Sequence, residues 1–266
     1  MKFGNVYWDS EWMADDHLSA SILAFGDSWF WYPFPGGSLL NQLGPLVAKQ
    51  QHTILAFGYN GAEAYDYVHG KYRTIVRTAL QHHGSGLSAV FLSGGGNDFA
   101  GFNDLRPLLK DSCSKAKTEK ACYRPGEDER TLGWLMKKIA ENYSLLIGQI
   151  FMMARPGTMV FLHNYDYAYP TGKGVFGGKA DWLKPALVAA GVPAKLRQPC
   201  IKHLIDTFTD TLANIAKQDP ARIVLVDSRG TLKKKDWANE LHPKPAGFKR
   251  IATQAWGPVL AQHGLA

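Results

Sequence analysis

The chain has 266 residues, of which 45% are hydrophobic and 20% charged, a composition typical of a globular protein with a sizeable core. The 30 Lys and Arg residues outnumber the 23 Asp and Glu residues, which gives a formal net charge of +7. No long basic tract is present, so we expect no nucleic-acid partner and keep peripheral contact with anionic lipid as an alternative.

No apolar run is long enough to span a membrane. The start of the chain carries acidic residues and lacks the apolar core of a signal peptide, so cytoplasmic residence is the default expectation and signal-less export the alternative. Cys113 and Cys122 lie in one polar stretch and could form a disulfide, which would leave Cys200 unpaired. No Cys/His spacing predicts a zinc site.

The chain begins with a polar and aromatic segment, 1–20, which we expect to pack on the outside of a sheet. The apolar run that follows leads directly into a Gly-Asp-Ser turn, and this pattern predicts a buried strand over 21–26. Because ligands of open α/β sheets bind beyond the carboxyl ends of the strands, Ser28 is placed at a predicted cleft. A serine there can be a nucleophile if a base reaches it, although Gly-Asp-Ser is also a common turn sequence.

The segment directly after Ser28 is rich in aromatic residues. Five of the six residues at 29–34 are aromatic, and the prolines and glycines at 33–37 exclude a long regular helix. Trp29, Trp31 and Tyr32 can line an apolar mouth of the site, or they can simply pack in the core. A helix is predicted next, over 38–50, with a serine as its N-cap.

Two further strands are each followed by a glycine-containing turn. The first of them is predicted over 53–57 and leads to Gly61, where glycine can bring a backbone N–H close to a ligand. A helix is predicted from this turn to about His83. The next strand, over 87–93, ends in a glycine run and Asn97, which supplies an amide donor. Turns use these residue types routinely, so neither signal is specific alone.

Residues 100–130 combine many charges with little periodicity. They are predicted to form an inserted loop or cap near the third strand end, or a solvated excursion at the surface. The next segment, 131–154, carries apolar residues at helical spacing and is predicted to be a long helix packed on the core. This apolar stripe comprises Leu132, Leu135, Met136, Ile139, Tyr143, Leu146, Ile147 and Ile150.

A fourth strand is predicted over 158–163 and leads into a long loop at about 165–190. Loops of this length are commonly functional or mobile, and we expect this one to help form the wall of the cleft. Tyr165 and Tyr167 are its candidate substrate contacts. His163, at the strand end, is expected to have a structural role.

The last candidate residue follows a predicted helix over 198–217 and a fifth strand over 223–227. His242 lies in a loop among prolines and carboxylates, directly before a predicted amphipathic helix over about 244–263. A histidine in such a loop can serve as a general base.

The alternation of five strands with helices predicts an α/β fold: a three-layer, doubly wound, parallel five-stranded sheet of the flavodoxin-like type. Ser28, Gly61, Asn97 and His242 all fall on loops at the same edge of that sheet. Their joint placement is a stronger signal than any one of the motifs.

The four blocks around these residues resemble, in order and spacing, those of the SGNH hydrolases, which are also called GDSL esterases and lipases. The resemblance covers most of the chain and implies a single domain over 1–266, with insertions at about 100–130 and 165–190. The first block has tryptophan where leucine is common in the family. The matching blocks are Phe25-Gly26-Asp27-Ser28-Trp29, Tyr59-Asn60-Gly61, Gly95-Gly96-Asn97-Asp98 and Asn239-Glu240-Leu241-His242-Pro243.

The resemblance implies a role for each of these residues. Ser28 would be the nucleophile, and His242 would take its proton and return it to the leaving alcohol. The backbone N–H groups of Ser28 and Gly61 and the side-chain amide of Asn97 would hold the oxyanion, each donor contributing roughly 3 kcal/mol. Water would then resolve the acyl-enzyme, and no metal or cofactor is implied.

One position departs from the family pattern. The family usually has an aspartate three residues before the histidine, and here that position is Asn239, whose amide can orient an imidazole but adds no charge. Three interpretations remain: a Ser–His dyad steadied by Asn239 or a backbone carbonyl, an acid from Glu240, or an acid from Asp236. We favour the dyad.

The expected function is hydrolysis of a carboxylic ester through a Ser–His acyl-enzyme mechanism. The aromatic residues at 29–34 favour an acyl chain or aromatic acid, so the substrate would be a small-molecule or lipid ester, and a lipase or lysophospholipase fits. A carbohydrate O-deacetylase of the same fold is one alternative, and a non-catalytic binding module is another. The basic charge would also fit an exported antibacterial effector that acts on phospholipid.

Overall fold

The structure is a computed structural model that describes residues 1–32, 37–175, 178–179 and 182–266. One seven-stranded sheet runs through it. In chain order the strands are β1 (Lys2–Phe3), β2 (Val6–Tyr7), β3 (Ile22–Gly26), β4 (Ile54–Gly58), β5 (Ala89–Ser93), β6 (Met159–His163) and β7 (Ile223–Val226). Across the sheet their order is β1-β2-β4-β3-β5-β6-β7, and every neighbouring pair is parallel except β1 with β2.

The five central strands confirm the predicted α/β class and its flavodoxin-like strand order. Each of them forms within two residues of its predicted bounds. All residues of β3 and β5 are buried, because helices cover both faces of the sheet. Strands buried on both faces have continuous apolar sequences, and this is why they could be recognised.

The sheet has seven strands rather than the predicted five. The two additional strands come from the beginning of the chain, which does not simply pack on the outside but extends the sheet. Val6 pairs with Ile54 and Tyr7 with Leu55, so β2 joins the edge of β4. A strand of two residues is too short to show the alternation by which strands are recognised in a sequence.

The helices alternate with the central strands, and none in the described part of the chain is both long and apolar enough to cross a membrane. In α6, all residues of the predicted apolar stripe are buried, and the Thr131 side chain caps the helix by accepting the Trp134 N–H. The helices are α1 (Ser10–Asp15), α2 (Leu39–Val47), α3 (Arg73–His83), α4 (Asn97–Ala100), α5 (Phe102–Leu108), α6 (Leu132–Met153), α7 (Leu183–Ala189), α8 (Ala194–Ala216), α9 (Pro245–Ile251) and α10 (Gly257–Gln262).

One predicted helix begins later than expected, and the predicted final helix contains an irregular segment. The helix after Gly61 does not begin at that turn: a 3-10 turn occupies Ala64–Tyr67, and α3 follows later. The final helix is divided between α9 and α10 by a π-helical segment, Ala252–Trp256. Pro258 lies in the first turn of α10 and has no N–H to donate, so the regular hydrogen-bond pattern cannot continue through this point.

The segment 100–130 contains α5, a bridge between Leu109 and Tyr123 and a short 3-10 turn. Cys113, Cys122 and Cys200 are all buried and free, so the disulfide considered from the sequence does not form. The Cys113 thiol instead donates to the Cys122 carbonyl at 3.3 Å. Burial raises the pKa of the Cys113 thiol to about 11, so this thiol stays protonated at neutral pH.

Candidate active site

Ser28 lies just beyond the carboxyl end of β3, at the start of a short 3-10 turn. Asp27 caps this turn, because its side chain accepts the Trp29 N–H at 2.9 Å. Gly26 is required by close packing: a Cβ at this position would lie 2.5 Å from the Ser93 carbonyl oxygen in β5. The Gly-Asp-Ser sequence therefore places the serine on a tight, capped turn just beyond the carboxyl end of β3.

The Asp27 carboxylate holds this turn against the neighbouring loops. It is buried and accepts the Tyr165 hydroxyl at 2.5 Å, and that hydroxyl in turn accepts the Gly96 N–H at 3.0 Å. Burial raises the pKa of Asp27 to about 7, although its hydrogen bonds act in the opposite direction. The loops that follow β3, β5 and β6 are thus joined by one hydrogen-bonded cluster next to Ser28.

His242 lies in the loop between β7 and α9, and its side chain contacts Ser28. The His242 Nε2 atom is 2.8 Å from the Ser28 Oγ atom, and its Nδ1 atom is 3.0 Å from the Asn239 Oδ1 atom. An amide oxygen can only accept, so Nδ1 carries the proton of the neutral ring and Nε2 is left to accept from the serine. This is the tautomer that a general base needs.

The Asn239 amide is fixed by several hydrogen bonds. Besides the imidazole, its Oδ1 atom accepts the backbone N–H groups of Leu241 and His242, both at 2.9 Å. Its Nδ2 atom donates to the Tyr32 hydroxyl at 3.2 Å. The amide oxygen therefore faces the imidazole, and the side chain has no freedom to present its nitrogen instead.

The two alternative acids are engaged elsewhere. The buried Glu240 carboxylate accepts the backbone N–H groups of Gly172 at 2.6 Å, Leu183 at 3.0 Å and Lys184 at 3.2 Å. Asp236 accepts the backbone N–H of Lys233 at 2.8 Å. The oxygen that meets the imidazole is thus an uncharged amide oxygen.

Burial keeps the His242 imidazole neutral. The residue is only 6% exposed, and this desolvation lowers its pKa to about 3. His163, whose pKa burial also lowers to about 3, lies between the hydroxyls of Ser93 at 3.1 Å and Ser228 at 3.2 Å. Its complete burial and its two partners agree with the structural role expected from the sequence.

Asn97 begins α4, just beyond the end of β5, and lines the same cleft as Ser28. One N–H of its amide donates to the Ala62 carbonyl at 2.9 Å, which brings the Gly61 turn next to it. Gly61 has a φ of +75°, a conformation that favours glycine. Among the described residues, the N–H groups of Ser28 and Gly61 donate to no protein acceptor, and the second amide N–H of Asn97 is also available.

A cleft of about 470 Å³, including its part open to solvent, begins at Ser28 and Asn97. Most of its lining is apolar and comes from α4, α7, α8 and the loops before α9. Sequence analysis missed the contribution of α8, because apolar residues at helical spacing are ordinary core residues in most helices. The missed apolar lining residues are Phe99, Leu183, Ile201, Leu204, Ile205 and Trp237.

Two of the predicted aromatic contacts lie in this lining. Trp29 and Tyr165 border the cleft but are almost completely buried, at 3% and 4% exposure. The Trp29 Nε1–H donates to the Leu241 carbonyl at 3.0 Å, which ties the serine turn to the histidine loop. Both side chains therefore shape the cleft from behind its surface.

The other predicted aromatic contacts are placed differently. Tyr32 stacks on the His242 ring, with the ring centroids 3.9 Å apart and the planes inclined by 17°. Tyr167 does not line the cleft, and its hydroxyl donates to Asp206 at 2.7 Å. Trp31 is half-buried, and its backbone N–H donates to the Ser28 carbonyl at 3.0 Å. The remaining part of the predicted aromatic mouth, 33–36, lies outside the described residues.

No protein-family model matches the sequence, and no curated protein matches it. Solved structures do match the fold. An extracellular lipase from Streptomyces rimosus matches with a TM-score of 0.51 at 18% identity, over 92% of this chain and 99% of that one. Phospholipase A1 from Streptomyces albidoflavus matches with a TM-score of 0.53 at 15% identity, over the same shares of the two chains.

A third structure, described as a lipolytic protein of the G-D-S-L family from Desulfitobacterium hafniense, matches with a TM-score of 0.50 at 14% identity. The match covers 87% of this chain and 95% of that one. The protein thus has the fold of the SGNH, or GDSL, hydrolases. The resemblance predicted from the four sequence blocks is confirmed at the level of the fold.

Proposed function

We propose that the protein is a serine hydrolase that cleaves carboxylic esters. The observation that carries this proposal is the 2.8 Å contact between Ser28 Oγ and His242 Nε2 at the mouth of an apolar cleft. A serine hydroxyl is a weak nucleophile by itself, and an accepting imidazole within hydrogen-bond distance is what activates it. The lipolytic names of the structures with this fold point in the same direction.

In the proposed acylation, the Ser28 Oγ atom attacks the ester carbonyl carbon while its proton moves to His242 Nε2. The tetrahedral intermediate then collapses: the bond to the alcohol oxygen breaks, and the departing oxygen takes the proton from Nε2. The acid part of the ester remains bound to Ser28. A water molecule, deprotonated by the same imidazole, then attacks the acyl carbon. The bond to Ser28 Oγ breaks, Oγ takes the proton back from Nε2, and the acid is released.

The proposed oxyanion hole consists of the Ser28 N–H, the Gly61 N–H and the second amide N–H of Asn97. All three are free of protein acceptors among the described residues, and the turn at Gly61 is tied to Asn97 through the Ala62 carbonyl. Donors that are fixed before the reaction stabilise the developing charge without reorganisation. Loss of one such donor lowers kcat by about 10²–10³ in a well-studied serine protease.

The lining of the cleft favours a substrate whose acid part is apolar. The walls of the cleft beyond Ser28 are lined by buried apolar side chains such as Phe99, Ile201 and Ile205, which carry no hydrogen-bond donors. Burying an acyl chain here is favourable by about 0.8 kcal/mol per methylene. We therefore propose esters of apolar acids, among them lipid esters, as the substrate class.

Hydrolysis of p-nitrophenyl esters of increasing acyl length tests the proposal, with Ser28→Ala as the matched control. We expect turnover and labelling by a fluorophosphonate probe in the native protein, and loss of both in Ser28→Ala. Labelling without turnover of any of these esters would redirect the search to other esters, such as acetylated carbohydrates. A folded native protein that neither turns over esters nor takes the label would contradict the proposal and favour a binding module.

A further inference from the structure

The His242 imidazole has to carry a positive charge during the proposed reaction, and its surroundings offer little to stabilise that charge. The ring is buried, so water is largely excluded. Its Nδ1 partner is the uncharged Asn239 amide, and the nearby Glu240 carboxylate is bound to backbone N–H groups instead. In a Ser–His–Asp site, the carboxylate stabilises the imidazolium.

Two aromatic rings lie against the imidazole. Tyr32 covers one of its faces in a nearly parallel stack, with a centroid distance of 3.9 Å and an angle of 17°. Trp182 meets it at a steep angle of 79°, with a centroid distance of 6.1 Å. The face of an aromatic ring carries partial negative charge, and it attracts a cation whose distance from the ring centroid is within about 6 Å.

We propose that the face of the Tyr32 ring stabilises the His242 imidazolium and takes over part of the role that a carboxylate has in a full triad. This inference rests on the proposed function, since the imidazolium forms only if His242 takes the Ser28 proton. Tyr32 is then a positioning residue that acts through His242. This role differs from the substrate contact that the sequence predicts for Tyr32.

The hydroxyl and the ring of Tyr32 have separate roles in this arrangement. The hydroxyl accepts the Asn239 Nδ2–H at 3.2 Å and so keeps the amide oxygen directed at the imidazole. That oxygen also accepts two backbone N–H groups, which orient it without help from the tyrosine. Removal of the hydroxyl alone should therefore have a small effect, whereas removal of the ring should have a large one.

The direct test measures the His242 pKa by NMR, with Ser28→Ala to prevent turnover and Asn239→Asp to raise this pKa into a range where the protein remains folded. In this background the Tyr32 hydroxyl would donate to the introduced carboxylate, so Tyr32→Phe is the reference that lacks the hydroxyl and keeps the ring. Relative to Tyr32→Phe, Tyr32→Leu should lower the His242 pKa by about one unit, the size of a desolvated cation–π contact. If the Tyr32 ring only shielded the imidazole from water, its removal would hydrate the imidazole and raise the His242 pKa, which is the opposite change. Tyr65→Leu is the matched control, because it removes a ring that contacts His69 outside the site.

Ring-fluorinated phenylalanines in place of Tyr32 provide a second measurement if Tyr32→Leu does not fold. They nearly preserve the shape of the ring while weakening the negative potential of its face. We expect the His242 pKa to fall in steps as fluorine atoms are added. A pKa that is independent of fluorination, or that rises, would overturn the proposal.

Kinetics then separate this inference from the proposed function. For Tyr32→Leu we expect kcat to fall about ten- to thirtyfold with a nearly unchanged KM, and for Tyr32→Phe less than about threefold. Equal losses in the two variants would contradict the ring's role while leaving the esterase proposal intact. The NMR titration needs no turnover, so failure of Ser28 to react with esters or fluorophosphonate would remove the proposed function independently of the pKa result.

Discussion

Replacing Asn239 by aspartate should raise activity, because it supplies the imidazolium with a charged partner in the same place. The two side chains have nearly the same shape, and the oxygen that accepts Nδ1–H at 3.0 Å also accepts two backbone N–H groups that suit a carboxylate. The second carboxylate oxygen would take the place of Nδ2 and accept the Tyr32 hydroxyl as a donor. The new charge would thus be buried with its hydrogen bonds satisfied.

The magnitude follows from the charge and the distance. An opposite charge within about 4–6 Å shifts a pKa by roughly one to three units, so the His242 pKa should rise from about 3 to a value between about 4 and 6. Because a more basic imidazole takes the Ser28 proton more readily, we expect kcat to increase by about ten- to a hundredfold. The assay is p-nitrophenyl ester turnover at neutral pH, together with NMR titration of His242.

Glu240→Gln is the matched control for this experiment, because it changes a charge next to Asn239 in the chain without altering an imidazole contact. Its kcat should remain within a few-fold of the native value. The reasoning would be refuted if Asn239→Asp raised the His242 pKa and kcat nevertheless stayed the same or fell. It would also be refuted if Glu240→Gln lowered kcat as severely as Ser28→Ala does, since Glu240 would then be the missing acid.

Variants at three positions test the stability of the fold and the role of the cleft. Glu240→Gln should lower the free energy of unfolding in urea by about 1.5–3 kcal/mol, because the N–H groups of Gly172, Leu183 and Lys184 lose a charged acceptor. Ile205→Trp should fill the cleft and move the preferred p-nitrophenyl ester to shorter acyl chains, while Ile205→Ala should move it to longer ones. His163→Gln should be less stable than the native protein at pH 7, and this difference should narrow by roughly 1.4 kcal/mol per pH unit below pH 6.5.

The sign of the His163 effect follows from proton binding. The folded pKa of His163 is about 3 and the ordinary value is 6.5, so between these values the unfolded chain binds the proton and the folded protein does not. Acidification therefore favours unfolding of the native protein, and the glutamine variant lacks this contribution. If the difference in unfolding free energy between the native protein and His163→Gln stayed constant from pH 7 to pH 5, this prediction would be contradicted.

For Ile205, an unchanged chain-length preference in both variants would exclude the cleft as the site of the acyl chain.

The fold could be predicted from the sequence because its five central strands are buried on both faces and appear as apolar runs before glycine turns. Ser28, Gly61, Asn97 and His242 could be singled out because each follows such a strand or lies in the loop before the last helices. The short strands β1 and β2 carry no such pattern and were missed. Their pairing depends on the edge of β4, a contact between distant parts of the chain.

The identity of the Nδ1 partner could not be decided from the sequence for a similar reason. Asn239, Glu240 and Asp236 all lie within a few residues of His242, and the local sequence does not tell which side chain turns toward the ring. The Glu240 carboxylate does not contact the imidazole, because it accepts the backbone N–H groups of Gly172, Leu183 and Lys184, about 60 residues earlier in the chain. The stack of Tyr32 on His242 likewise joins distant segments, so this contact could not be predicted from the sequence.

A base without a charged partner should give the proposed esterase an unusual pH profile. With a His242 pKa of about 3, the imidazole is already deprotonated at pH 4, so kcat/KM of the native protein should remain flat from pH 8 down to the point where the fold is lost. Asn239→Asp should introduce an acidic limb between about pH 4 and 6, because its carboxylate stabilises the protonated ring. The two changes are linked: the same charge that raises kcat at pH 7 narrows the active range at low pH. The contrary result would be a loss of kcat/KM near pH 6.5 in the native protein while circular dichroism shows an intact fold. It would mean that His242 is hydrated or paired with a charged group, and it would contradict a neutral, buried base.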